Sequence, residues 1–122
     1  MKQQAIWIES EHAYIYELHE SNFDRVKVTN HDVHHHGNHA KDVYSLYTPY
    51  FKNIVAHIKD HELIILGHAQ CKDYFKKYLE SHHPDISKRV YAYLTKDKMT
   101  DREIIATARK EFSNHEMDQI LS

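Results

Sequence analysis

A chain of 122 residues, 41% hydrophobic and 28% charged, has the composition of one globular domain and is too short for two. A net charge of −2, a single cysteine (Cys71) and short apolar runs such as Leu63-Ile64-Ile65-Leu66 argue against a polycationic nucleic-acid binder, a disulfide scaffold and a membrane-spanning helix. The opening Met1-Lys2-Gln3-Gln4 has no apolar signal-peptide core, so a cytoplasmic protein is expected.

The first third reads as strands. Ala5-Ile6-Trp7-Ile8, Ala13-Tyr14-Ile15-Tyr16-Glu17-Leu18 and Arg25-Val26-Lys27-Val28 are rich in β-branched and aromatic residues, and short polar connections join them into an antiparallel meander. From Thr29 to Ala40 no periodicity survives, and that segment reads as a long loop holding Gly37 and five histidines. A period of 3.6 then places Val43, Leu46, Tyr47, Tyr50, Phe51, Ile54, Val55 and Ile58 on one helix face. Pro49 interrupts it, so this helix either kinks or restarts with Thr48 as cap and Pro49 as its first residue.

Glu62-Leu63-Ile64-Ile65-Leu66-Gly67 is apolar on both faces, the pattern of a central strand covered on both sides. A helix over residues 69–81 turns Cys71, Tyr74, Phe75, Tyr78 and Leu79 inward and Lys72, Asp73, Lys76, Lys77 and Glu80 outward. Residues 89–94 form another strand. Thr100-Asp101-Arg102-Glu103 is a capping box opening a helix that buries Ile104, Ile105, Ala108 and Phe112, and residues 114–122 read as a frayed turn or a short separate helix. The order β-β-β-loop-α-β-α-β-α, with two right-handed parallel crossovers after the meander, predicts an α/β fold: a five-stranded mixed sheet with helices on its faces, the ribonuclease H-like motif.

The charge is unevenly placed. Residues 22–98 carry 12 Lys and Arg against 9 Asp and Glu, together with 10 of the 13 histidines, and five of those histidines fall between positions 31 and 39. Histidine titrates near pH 6.5, so this centre becomes more positive in mild acid.

Several of these features are shared with a known family. The meander, the glycine-containing polar loop, the long amphipathic helix, the strand and turn Glu62-Leu63-Ile64-Ile65-Leu66-Gly67-His68-Ala69-Gln70-Cys71-Lys72 and the Val-Tyr-Ala-Tyr strand resemble the middle domain of eukaryotic and archaeal class-1 release factors and of Pelota. They also resemble the small bacterial single-domain proteins grouped with these as translational machinery components. The similarity covers about residues 5–113, with 114–122 as a C-terminal tail. It implies a ribosome- or tRNA-associated protein that meets the RNA backbone, alone or with a separate protein factor, with neither a membrane nor DNA as partner. In release factors the loop before the long helix carries Gly-Gly-Gln, which promotes hydrolysis of peptidyl-tRNA. The matching loop here reads His34-His35-His36-Gly37-Asn38-His39-Ala40-Lys41. One glycine cannot supply the backbone freedom that two provide, and Pelota also lacks the motif and acts without ester hydrolysis. The expected role is therefore non-enzymatic: stalled-ribosome rescue, hibernation or a related stress response.

The residues expected to contact RNA are Arg25, Lys27, His34, His35, His36, Gly37, Asn38, His39, Lys41 and Lys52. Neutral imidazole stacks on bases and protonated imidazole approaches phosphate. Arg25 and Lys27 share one side of a strand, Lys41 opens the long helix, and Lys52 and Lys59 lie on its polar face, so that all five could form one strip along a phosphate backbone. Two alternatives stay open: a peptidyl-tRNA esterase acting through Asn38 or His39, and a histidine-rich metal-binding domain using pairs such as His31 and His35, or His35 and His39. No cofactor is expected. Two-metal nuclease chemistry is not expected either, because Glu9 stands only at the end of the first strand and no later carboxylate lies on an apolar strand. Cys71 is expected to be buried and inert.

Overall fold

The computed structural model describes residues 2–31 and 43–121. Its elements run β1 (Gln3–Ile8), β2 (His12–Leu18), β3 (Phe23–Thr29), α1 (Val43–Val55), β4 (Glu62–Gly67), α2 (Ala69–His82), α3 (Pro84–Ser87), β5 (Val90–Thr95) and α4 (Asp101–Leu121). The five strands form one mixed sheet in the order β3-β2-β1-β4-β5. β1 is central, antiparallel to β2 and parallel to β4, with Ile8 opposite Ala13 on one side and Gly67 on the other. This is the expected α/β architecture.

The connections β3 to β4 and β4 to β5 progress in the same direction across the sheet, so right-handed crossovers carry α1 and α2 to one face. There Ile6, Ile8, Ile15, Leu63 and Ile65 pack with Phe51, Ile54, Phe75 and Leu79. On the other face Ala5, Trp7, Tyr16, Ile64 and Leu66 meet Ile104, Ile105, Ala108 and Phe112 of α4. Covering both faces explains why β1 and β4 read as continuous apolar runs instead of alternating ones. The side from which β1 and β4 run out, beside the start of β2, is called the upper rim below; the opposite side is the lower rim.

Four details refine the sequence reading. Of the kink and the restart considered at Pro49, the restart does not occur: α1 runs unbroken from Val43 to Val55. The proline lacks the N–H that would bond to the Ser45 carbonyl, and the Thr48 hydroxyl donates to that carbonyl instead at 2.9 Å. Residues 114–121 continue α4, although Met117, Ile120 and Leu121 are exposed and gain no packing. The short α3 was not anticipated; Pro84 supplies its first-turn φ. Lys72, expected outward, is 6% exposed and pairs with the Asp73 carboxylate at 2.8 Å.

Candidate nucleic-acid interface

The upper rim gathers polar groups because strand ends, a hairpin turn and two helix starts meet there. β3 leaves the sheet beside the turn between β1 and β2: the Asn30 amide N–H donates to the Glu11 carbonyl at 2.8 Å, and its side chain donates to the Ser10 carbonyl at 3.0 Å. Asn30, just past the end of β3, is therefore held in two places. Gly67 ends β4 on the same rim, and the His68 N–H donates to the Ile8 carbonyl at 3.2 Å.

Between the strand ends and the first turn of α4 lies a cleft of about 500 Å³. Its wall is aromatic. The Trp7 indole N–H donates to Glu9 Oε2 at 3.0 Å, and the His68 ring meets Trp7 edge-on with centroids 5.8 Å apart. His12 Nδ1 stands 3.4 Å from Glu9 Oε1, and its ring meets Tyr14 edge-on at 5.0 Å. The α4 start closes the cleft with Lys98 and Asp101.

Arg25 and Lys27 reach the same cleft wall from β3, because the antiparallel register sets Arg25 opposite Tyr16 and Lys27 opposite Tyr14. The Arg25 guanidinium lies 4.5 Å from the Tyr14 ring centroid and the Lys27 ammonium 6.0 Å from it. Arg25 Nη1 also donates to both oxygens of Asp101, at 3.0 and 2.9 Å, and this bond holds the guanidinium above its ordinary titration range. Asp101 accepts a further bond of 2.6 Å from the Tyr16 hydroxyl. Burial first, and Asp101 second, push the Tyr16 phenol well above its usual range. Asp101 thus ties the start of α4 to β2 and β3 and fixes Arg25 over Tyr14.

The single basic strip expected from the sequence is not formed by the described residues. Arg25 and Lys27 stand on the face covered by α4, whereas Lys52 belongs to α1 on the other face, in a groove with Tyr78, His82 and His83. Lys59 lies at the lower rim, bonded to Glu17. The spacing of lysines on α1 carried no information about which sheet face the helix would cover. His34, His35, His36, Gly37, Asn38, His39 and Lys41 lie outside the described residues. Both alternative readings of that loop, through Asn38 or His39 and through His35, fall there too.

Sequence reasoning missed His12, His68 and Lys98 as residues of this cleft. Tyr14 is half-buried, packed against the core under α4 and flanked by the two cations. The available signal was the β2–β3 hairpin register, which puts Tyr14 opposite Lys27 and one pair away from Arg25. Cys71 is buried as expected, and burial raises its thiol to about 12, which removes it as a nucleophile at neutral pH. Planar rings beside a guanidinium and ammonium groups, around an open cleft, can stack a nucleobase and neutralise its phosphate.

The fold is that of an α/β domain found within Pelota. Two solved structures match it: Pelota from Archaeoglobus fulgidus, at 16% identity over 89% of this chain with a TM-score of 0.65, and Pelota from Thermoplasma acidophilum, at 19% identity over 92% with a TM-score of 0.65. In each case the match covers 31% of the Pelota chain, so this chain corresponds to one domain of a longer protein. At these identities the likeness shows the fold. No protein-family profile matches the sequence, and no curated protein does. Among the described residues no helix is long and apolar enough to cross a membrane.

Proposed function

We propose that this chain is a non-enzymatic, cytoplasmic translation factor that associates with the ribosome or tRNA in stalled-ribosome rescue, hibernation or a related stress response. It engages the RNA backbone through the upper rim, with Arg25 and Lys27 beside Tyr14, and through residues 31–41. A separate protein factor is the further partner this reading allows. The observation that carries it is a Pelota domain fold spanning nine-tenths of the chain, with an aromatic and basic cleft on the upper rim.

Fluorescence titration of labelled chain with isolated large ribosomal subunits tests it. Phosphate contacts release counterions, so affinity should fall steeply between low and moderate salt. Tyr14→Ala with Lys27→Ala should weaken binding by about tenfold or more, the loss of one stacked base and one phosphate contact. Binding that ignores both salt and these substitutions would overturn the assignment of the rim.

A further inference from the structure

The lower rim holds a second cluster, unrelated to the cleft. The β2–β3 ladder sets Glu17 directly opposite Asp24, an arrangement in which two like charges repel. His19, just past the end of β2, brings its Nε2 to 2.8 Å from Asp24 Oδ2. Donor atoms of Glu17, His19 and Asp24 all lie within 4.8 Å of one another.

A fourth group enters from the α1–β4 connection. The His61 side chain is only 9% exposed, its Nε2 is 3.8 Å from Glu17 Oε2, and neither ring nitrogen has a hydrogen-bond partner among the described residues. A buried imidazole without such a partner is costly, and this one is aimed at a carboxylate already facing another. The backbone that presents it is fixed from two sides. Arg89 Nη1 donates to the carbonyls of Lys59 and His61, at 2.8 and 2.5 Å. The Gln4 side chain accepts from the Lys59 N–H at 2.9 Å and donates to the His57 carbonyl at 3.0 Å.

We propose that Glu17, His19, Asp24 and His61 form a binding site for one divalent transition-metal ion of the zinc class. Two imidazoles and two carboxylates are a four-coordinate zinc donor set, whereas calcium and magnesium take oxygen ligands. Bonds of about 2.0–2.2 Å to a tetrahedral ion put neighbouring donor atoms about 3.3 Å apart; the donors of Glu17, His19 and Asp24 stand within 4.8 Å of one another and His61 Nε2 stands 3.8 Å from Glu17 Oε2, so side-chain rotation, that of His61 above all, completes the set. The ion replaces the repulsion between Glu17 and Asp24 with two attractions and gives the His61 ring its missing partner. Lys59 now offsets part of that repulsion, with its Nζ 2.5 Å from Glu17 Oε2, and its side chain is 60% exposed. It is free to swing into water when the ion enters, so Lys59 and the metal compete for the same carboxylate.

That competition separates this site from adventitious capture by the histidines at 31–39. In calorimetric titration of the chain with Zn²⁺ alone, one stoichiometric site is expected. His61→Gln and Asp24→Asn should each weaken it tenfold or more, Lys59→Gln should tighten it, and His35→Ala should leave it unchanged. Asp24 is 77% exposed, so its variant tests the site without a folding penalty. A stoichiometric site that survives Asp24→Asn and His61→Gln, or weak multi-site binding indifferent to Lys59→Gln, would overturn the proposal.

Discussion

Replacing Gly67 by alanine should damage the junction of β1 and β4 more than any other single methyl group added to the sheet. Gly67 has φ of +152°, and a Cβ at this position would stand 2.0 Å from the Ile8 carbonyl oxygen, 2.9 Å from its carbon and 3.0 Å from the Ile8 nitrogen. All three are backbone atoms of the central strand, so no rotamer change relieves the clash. Forcing a side chain into such a conformation costs about 1–3 kcal/mol. Moving β4 away also sacrifices the 3.2 Å bond from His68 to Ile8, worth about 1 kcal/mol net. A total loss of about 2–4 kcal/mol is expected, a large share of the roughly 5–15 kcal/mol that holds a domain together. Urea unfolding followed by far-UV circular dichroism measures it from the shift in midpoint at constant slope. A loss below about 1 kcal/mol would show that β1 and β4 do not approach this closely, and the shape of the upper rim would then be misassigned.

The remaining predictions concern the same framework. Asp101→Ala leaves the buried Tyr16 hydroxyl without its acceptor and should cost about 1–3 kcal/mol in urea unfolding, with Tyr16→Phe recovering part of the loss in the double variant. Thr100→Ala removes the cap bonded to the Glu103 N–H at 3.2 Å and should cost about 1 kcal/mol, read as a lower melting temperature. Stability should fall as pH rises above about 9, because burial holds Cys71, Tyr91 and Tyr93 up to about 12 while the unfolded chain ionises these groups near 8.5 and 10. Urea midpoints at pH 8 and 10 check the sign, and a midpoint that does not move would refute it. Under native conditions Cys71 should resist iodoacetamide at pH 8 and react only on unfolding.

The central place of β4 was legible in the sequence because Glu62–Gly67 is apolar on both faces, which only a sheet covered twice requires. Residues 114–121 were legible as one of two alternatives, a short helix; their unbroken continuation of α4 was not, since Met117, Ile120 and Leu121 are exposed and do not mark the buried face. That α1 would continue through Pro49 instead of restarting was not legible, for a local reason: the hydroxyl of Thr48 replaces the hydrogen bond that the proline removes. Of the candidate cleft, Arg25 could be read from the sequence, together with Lys27 beside it on one strand face. His12, His68 and Asp101 could not, because they come from three separate elements and meet only when the parallel β1–β4 pairing brings their ends to one rim. The lower cluster was hidden for the same reason, since His61 reaches Glu17 only across the sheet.

The most direct test of the translational role is sucrose-gradient co-sedimentation of the chain with ribosomes from growing and stressed cells, at low and moderate salt. The account predicts co-migration with ribosomes or their large subunit in at least one of these states, weakened by salt and by Lys27→Ala with Tyr14→Ala. Absence from the ribosomal fractions under every growth condition, even at low salt, would contradict it.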